Sequence, residues 1–127
     1  MRPEHEQAKQ WLVKAEHDLR AAALALGAQP PITDVSAFHS QQAAEKALKA
    51  FLVHHVVAFD FVHDLQYLLD LCARMDGSLD DLAEAAAILT PYAVKFRYPS
   101  GSEPTFEQAT TALEFAVRVV EAVQGRL

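Results

Sequence analysis

The chain has 127 residues, 51% of them hydrophobic, with 4 glycines, a single cysteine and a net charge of −6 at neutral pH. That length accommodates one domain whose core needs neither disulfides nor structural metal. The acidic balance argues against a large duplex-binding surface, which needs phosphates neutralised by lysine and arginine, and no apolar run is long enough to span a bilayer.

The opening Met1-Arg-Pro-Glu-His-Glu6 contains no apolar signal segment, and Cys72 has no partner for an internal disulfide. A reducing cytoplasm is therefore the expected compartment. A first helix is predicted from Glu4 to Leu26, with Leu12, Ala15, Leu19, Ala22 and Leu26 on one face. Gly27 and Pro30-Pro31 stop it. Thr33 or Asp34 supplies a cap for a second helix that runs to Val57. At about 100° per residue, Phe38, Gln42, Glu45 and Lys49 of this helix fall on one line, flanked by His39 and Lys46. Ala43, Ala44, Ala47, Leu48, Ala50, Phe51 and Leu52 cover most of the remaining circumference. So apolar a helix belongs near the centre of a fold. Its polar stripe must then face a cleft, a partner or other buried polar groups.

Ala58 to Val62 is a short apolar connection expected to pack, and His63 to Met75 reads as a third helix ended by Asp76-Gly77. Ser78 with Asp81 has the form of an N-cap and acidic first turn for a fourth helix. Leu79, Leu82, Ala86, Leu89, Ala93 and Phe96 form its apolar face, interrupted at Pro91, where a kink or break is expected. After a loop from Tyr98 to Pro104, Thr105 and Gln108 fit a capping box. Phe106, Ala109, Leu113, Ala116, Val117, Val120 and Val123 then line the last helix. No segment reads as a strand. The predicted fold is all-α, an antiparallel up-and-down bundle of four long helices plus a short or split fifth, in a single domain over residues 1–127. Cys72, among Leu68, Leu69, Leu71 and Met75, reads as a buried structural thiol.

The candidate ligand-binding residues are Gln42, Glu45, Lys46, Lys49, Arg97, Tyr98 and His39. Glu45 and Lys49 form an i,i+4 pair worth only a few tenths of a kcal/mol on a solvated face. Lys46 and Lys49, one turn apart, suit a phosphate, but no Gly-rich loop accompanies them and no cofactor is implied. Arg97 reads either as a guanidinium presented to a phosphate or carboxylate, with Tyr98 stacking beside it, or as a fork closing its own helix end. Metal binding is not expected. The adjacent His54 and His55 point about 100° apart on a helix, and the paired Glu-x-x-His motif of diiron bundles is missing. His63 is expected to help start the third helix, and His39 to border the polar stripe.

The run Gln41-Gln-Ala-Ala-Glu-Lys-Ala-Leu-Lys-Ala50, followed by His63-Asp-Leu65 and Arg97-Tyr-Pro99, resembles the HEPN domains of prokaryotes. Trp11 through Leu19 is similar to their opening helix. The resemblance implies a helical bundle that forms a homodimer and is often encoded beside a minimal nucleotidyltransferase, in toxin–antitoxin or related systems. It also implies that Tyr98 could be a target of such a transferase. In family members that are ribonucleases, an arginine separated by four to six residues from a histidine forms the active centre. This chain departs from that pattern: the positions after Arg97 hold Ser102, Glu103 and Pro104, and those after Arg118 hold Val123, Gln124 and Gly125. The expected function is a dimerising module acting with a nucleotidyltransferase-like partner, with a nucleotide or other phosphate ligand in a polar cleft. The alternative is a toxin-type ribonuclease acting on RNA, with His39 as base and Arg97 as phosphate clamp, disfavoured by the missing motif.

Overall fold

The computed structural model describes residues 2–94, 99 and 102–127. Five α-helices follow one another: α1 (Pro3–Leu26), α2 (Thr33–His54), α3 (Leu65–Met75), α4 (Ala83–Leu89) and α5 (Phe106–Gln124). Two 3₁₀ segments, Gly77–Leu82 and Thr90–Ala93, flank α4, and no strand occurs among the described residues. The fold is all-α, as the apolar periodicity predicts. No helix is long and apolar enough to cross a membrane among the described residues.

Pro3 begins α1, where its missing amide proton costs nothing, and Glu4 and Glu6 sit in the first turn against the positive end of the helix dipole. The expected cap at Thr33 or Asp34 is not used. Ile32 holds the cap position of α2 and no side chain closes it. Tertiary hydrogen bonding replaces the local cap there, because Ile32 N–H donates to the Ala25 carbonyl at 2.9 Å and ties the connecting segment back to α1.

Cross-helix contacts show that α1 and α2 run antiparallel. His5 meets His54, Asp18 meets His39, and Ser36 Oγ donates to the Ala22 carbonyl. Fully buried alanines on both helices, including Ala8, Ala15, Ala22, Ala37, Ala44 and Ala47, allow their backbones to approach closely. Helix α2 packs against α1, α3, α4 and α5 and buries 14 of its 22 residues. The central position predicted from its composition is therefore what the bundle adopts. Phe51, Leu48 and Leu52 of α2, with Leu65, Leu68, Leu69, Leu79, Leu89, Val120 and Val123, form the middle of the core.

Helix α2 ends at His54, three residues before the predicted Val57, because the chain turns left-handed at Val56 with φ of 57°. Val56 N–H bonds the Val53 carbonyl and Val57 N–H bonds the Leu52 carbonyl, at 3.1 and 2.9 Å. This is the paired closure of a Schellman motif, whose left-handed position glycine normally fills. A β-branched residue there is strained, and 68% of Val56 is exposed, so little packing compensates. Val56→Gly should raise the unfolding free energy by about 1 kcal/mol, net of the greater chain entropy of glycine. Urea denaturation would read this as a higher midpoint, and an unchanged or lower one would refute it.

Asp64, not His63, caps α3, accepting from the amides of Gln66 and Tyr67. Asp76, not Ser78, caps the next segment, accepting from Ser78 N–H at 3.1 Å. The reason is tertiary: Arg126, just past α5, donates to Asp76 and Ser78, each at 2.8 Å, and pins the turn to the end of the chain. The predicted fourth helix is broken as expected, with Pro91 in the Thr90–Ala93 segment. Phe96 lies outside the described residues. The capping box of Thr105 and Gln108 forms at 2.9 and 3.0 Å. Phe106, expected on the apolar face, is 53% exposed, since it occupies the first helical position ahead of the buried stretch that starts at Ala109. Cys72 is fully buried, its thiol faces the Leu48 carbonyl at 3.6 Å, and burial pushes its pKa up to about 12. It is a structural thiol, inert as a nucleophile.

Candidate functional site

A chain of hydrogen-bonded polar side chains runs along the interior of the bundle. It begins where α1 crosses α2. Asp18 accepts from His39 Nδ1 at 2.8 Å and from Lys46 Nζ at 2.6 Å. Lys46 continues to Gln42 Oε1 at 3.4 Å, and Gln42 Nε2 donates to Gln41 Oε1 at 2.8 Å. Gln41 Nε2 donates both to Glu45 Oε1 at 3.2 Å and to the His63 carbonyl at 3.0 Å. Glu45 in turn accepts from Lys49 Nζ and from His63 Nδ1, both at 2.9 Å. The network thus consists of two carboxylate–lysine–histidine clusters, Asp18–Lys46–His39 and Glu45–Lys49–His63, joined by a glutamine pair.

The sequence stripe is brought together, but not as a solvated face. Glu45 and Lys49 are 4% and 6% exposed, so their pair is buried. The Lys49 ammonium also lies 5.8 Å from the centre of the Trp11 ring and 5.9 Å from that of Phe59. Aromatic faces attract a desolvated cation and offset part of its burial cost. Burial on its own pushes the Glu45 carboxyl up, but hydrogen bonds from Lys49, His63 and Gln41 outweigh it and hold the group below the ordinary carboxylate value.

The network opens to solvent through its histidines. The side chain of His39 is 31% exposed, that of Lys46 25% and that of His63 63%. Phe38 lies edge-on to His39 at 5.4 Å. Arg97 and Tyr98 lie outside the described residues.

Asp18, Gln41 and His63 belong to the network but were not among the expected site residues. Asp18 lies three residues after Ala15 and four before Ala22, both fully buried, and a lone acid at such a position requires a cationic partner from another element. Gln41 lies one turn before Glu45, which was the local sign available. The pairing of His63 with Glu45 had no local sign, because it spans 18 residues across a connecting segment.

A separate hollow lies elsewhere. It has a volume of about 530 Å³ and runs between α1 and the end of the chain, lined by His5, Lys9, Leu12, Val13, Glu16 and Gln124 as well as Leu127. None of these belongs to the network. The hollow is mostly apolar, whereas the network concentrates the charged groups that chemistry or anion recognition would need. No group of three or more metal-ligating side chains occurs among the described residues.

Beside this hollow, His5 Nδ1 and His54 Nδ1 are 3.3 Å apart, and His54 stacks edge-on against His55. Burial, followed by the neighbouring charges of His55, His5 and Arg2, holds the pKa of His54 below the imidazole value of 6.5. The unfolded chain therefore binds a proton more readily than the folded one just below that pH. Stability should be complete above pH 6.5 and decline as the pH falls from there toward the folded value. A second decline belongs to Glu45, whose contribution is present above its ordinary value of 4.5 and is lost as the pH falls through its lower folded value. Thermal melts across pH 3–8 should thus show two acid phases. His54→Gln should remove the upper phase alone, and persistence of that phase in the variant would disprove its assignment.

No curated protein matches the chain. Crystal structures that match over almost the whole length include the following two. TT1696 from Thermus thermophilus shares 32% identity at a TM-score of 0.77, covering 95% of this chain and 98% of that one. ST0689, an archaeal HEPN homologue, shares 25% identity at a TM-score of 0.77, covering 94% of this chain and 96% of that one. The HEPN domain model matches residues 8–126, nearly the whole chain, and on this evidence the chain belongs to the HEPN domain family.

Proposed function

We propose that the protein is a dimerising HEPN module that works with a nucleotidyltransferase-like partner. On this reading the polar side of α2 holds a nucleotide or other phosphate-bearing ligand. The observation that supports the ligand site is the network itself. It links Asp18, His39, Gln42, Lys46, Gln41, Glu45, Lys49 and His63 without a break and reaches solvent at its histidines. A polar system serving only to fasten helices together would gain by being sealed, since water competes for exposed hydrogen bonds. Arg97 and Tyr98 are proposed as an anion contact and a stacking platform. Dimerisation and the transferase partner rest on family membership.

Native mass spectrometry of the protein captured gently from its own cells tests the partner. A stoichiometric nucleotidyltransferase, or a nucleotide mass added to Tyr98, supports the reading, and a bare homodimer removes the obligate partner from it. Thermal shift with millimolar nucleoside triphosphates tests the ligand, because stabilisation follows the ratio of ligand concentration to dissociation constant. The absence of any shift would remove the ligand. One observation favours ribonuclease as a second reading: both histidines are oriented by carboxylates, as an acid–base pair would be. With the Arg-x(4–6)-His motif missing, RNA incubated with the protein should remain intact. Cleavage abolished by His39→Ala would put the ribonuclease in its place.

A further inference from the structure

The charge balance of the network says which of its residues an anion would meet. Carboxylates only accept hydrogen bonds, so His39 and His63 must each carry a proton on Nδ1 to donate to Asp18 and Glu45. In the neutral rings Nε2 is then a bare lone pair, which repels a phosphate oxygen. The two lysines do not supply the missing charge. Lys46 is bound to Asp18 and Lys49 to Glu45, so two cations cancel two carboxylates and the lysines leave no net positive charge for an anion. Lys49 is further removed from a ligand by its burial between Trp11 and Phe59.

Among the described residues, no further cation is bonded to either histidine. His39 faces Asp18 of α1 and lies beside Phe38 and, through Asp18, Lys46. His63 faces Glu45 and, through it, Lys49 and Gln41. The loop that carries His63 also contains Asp60 and Asp64, both acidic, and the Asp64 carboxylate caps the amides of Gln66 and Tyr67.

We infer that, within the network, His39 and His63 rather than the lysines are the anion contacts, and that each phosphate-bearing ligand bound there brings a proton with it. Protonation at Nε2 leaves the Nδ1 bond to the carboxylate intact. It converts the lone pair into a donor and turns a neutral cluster into one of charge +1. Imidazole is the side chain suited to this exchange near neutral pH. The buried carboxylate holds the ring in place in both states. The ligand class is therefore a phosphate group, and its affinity rises as the pH falls. This inference rests on the ligand site proposed above.

Calorimetric titration with adenosine triphosphate at pH 6.0 and 8.0, in buffers of different ionisation enthalpy, reads affinity and proton uptake. Imidazole ¹⁵N spectra recorded with and without the nucleotide show which ring takes the proton, independently of protons gained by the triphosphate itself. Affinity should be at least about tenfold higher at pH 6.0, with the ¹⁵N resonances of His39 and His63 moving to imidazolium positions on binding. His39→Gln and His63→Gln retain a side-chain amide donor for the carboxylate, and circular dichroism melts verify that they fold. Each should weaken binding at pH 6.0 and flatten its pH dependence. Binding of equal strength at both pH values, with the rings unprotonated, would overturn the inference while leaving a ligand site in place. No binding at either pH would overturn the ligand site and the inference together.

Discussion

Glu45→Leu should lower the unfolding free energy by about 3–5 kcal/mol, the cost of leaving a buried charge without its partner. Lys49 is 6% exposed and its ammonium has one carboxylate partner in the network, Glu45. The Trp11 and Phe59 faces attract the cation, but a ring quadrupole is worth only about 2 kcal/mol even when desolvated. The substitution also strips Gln41 and His63 of an acceptor. The double variant Glu45→Leu with Lys49→Met should recover most of the loss, because two apolar side chains can fill the same volume with no charge to compensate. Urea denaturation of the wild type, both single variants and the double variant closes the thermodynamic cycle. A loss below about 1 kcal/mol for Glu45→Leu would mean that the pair behaves as a solvated surface bridge, and the buried network would have to be abandoned.

Phe51→Ala comes next, with an expected loss of about 3–5 kcal/mol from lost burial and the cavity left behind. Phe51 is 1% exposed and is the largest fully buried side chain among the described residues. It lies in the last turns of α2, where its ring packs against His55 with centroids 4.3 Å apart. The helices around it are held by contacts of their own, so they relax only partly into the gap. Phe51→Leu keeps most of the volume and should cost less than half as much. Equal losses for the two variants would show that ring shape, not volume, governs the site. A negligible loss for Phe51→Ala would place this ring outside the cooperative core. Neither substitution touches the exposed histidines directly. Phe51→Ala thus separates a loss of stability from a loss of ligand binding.

The helices were legible because their signals are local. Pro3 and Gly27 bracket α1, Thr105 and Gln108 close the start of α5, and Pro91 breaks the fourth helical segment where expected. Where prediction and structure differ, the deciding contact is one that the local residue pattern does not reveal. Thr33 does not cap α2 because Ile32 is tied to Ala25. Asp76 replaces Ser78 as a cap because Arg126 reaches it across 50 residues. The end of α2 falls at His54 because the chain turns at Val56, a residue whose side chain gives no warning of a left-handed conformation. The polar stripe of α2 was visible as a pattern. Its meaning was not, since i,i+4 spacing is the same whether Glu45 and Lys49 face water or Phe59 and Trp11.

Periodicity and composition were enough to specify a helical bundle with α2 at its centre, and to show that α2 carries charge where an apolar surface would be expected. They suffice because burying a helix requires apolar side chains over most of its circumference. How that charge is satisfied was left to the packing of the helices. Asp18 arrives from α1 and His63 from the segment before α3, and together they turn an isolated stripe into two linked carboxylate–lysine–histidine clusters. A buried charge constrains only the sign and hydrogen-bonding capacity of its partner. Which distant residue fills that role depends on which helix faces are brought together.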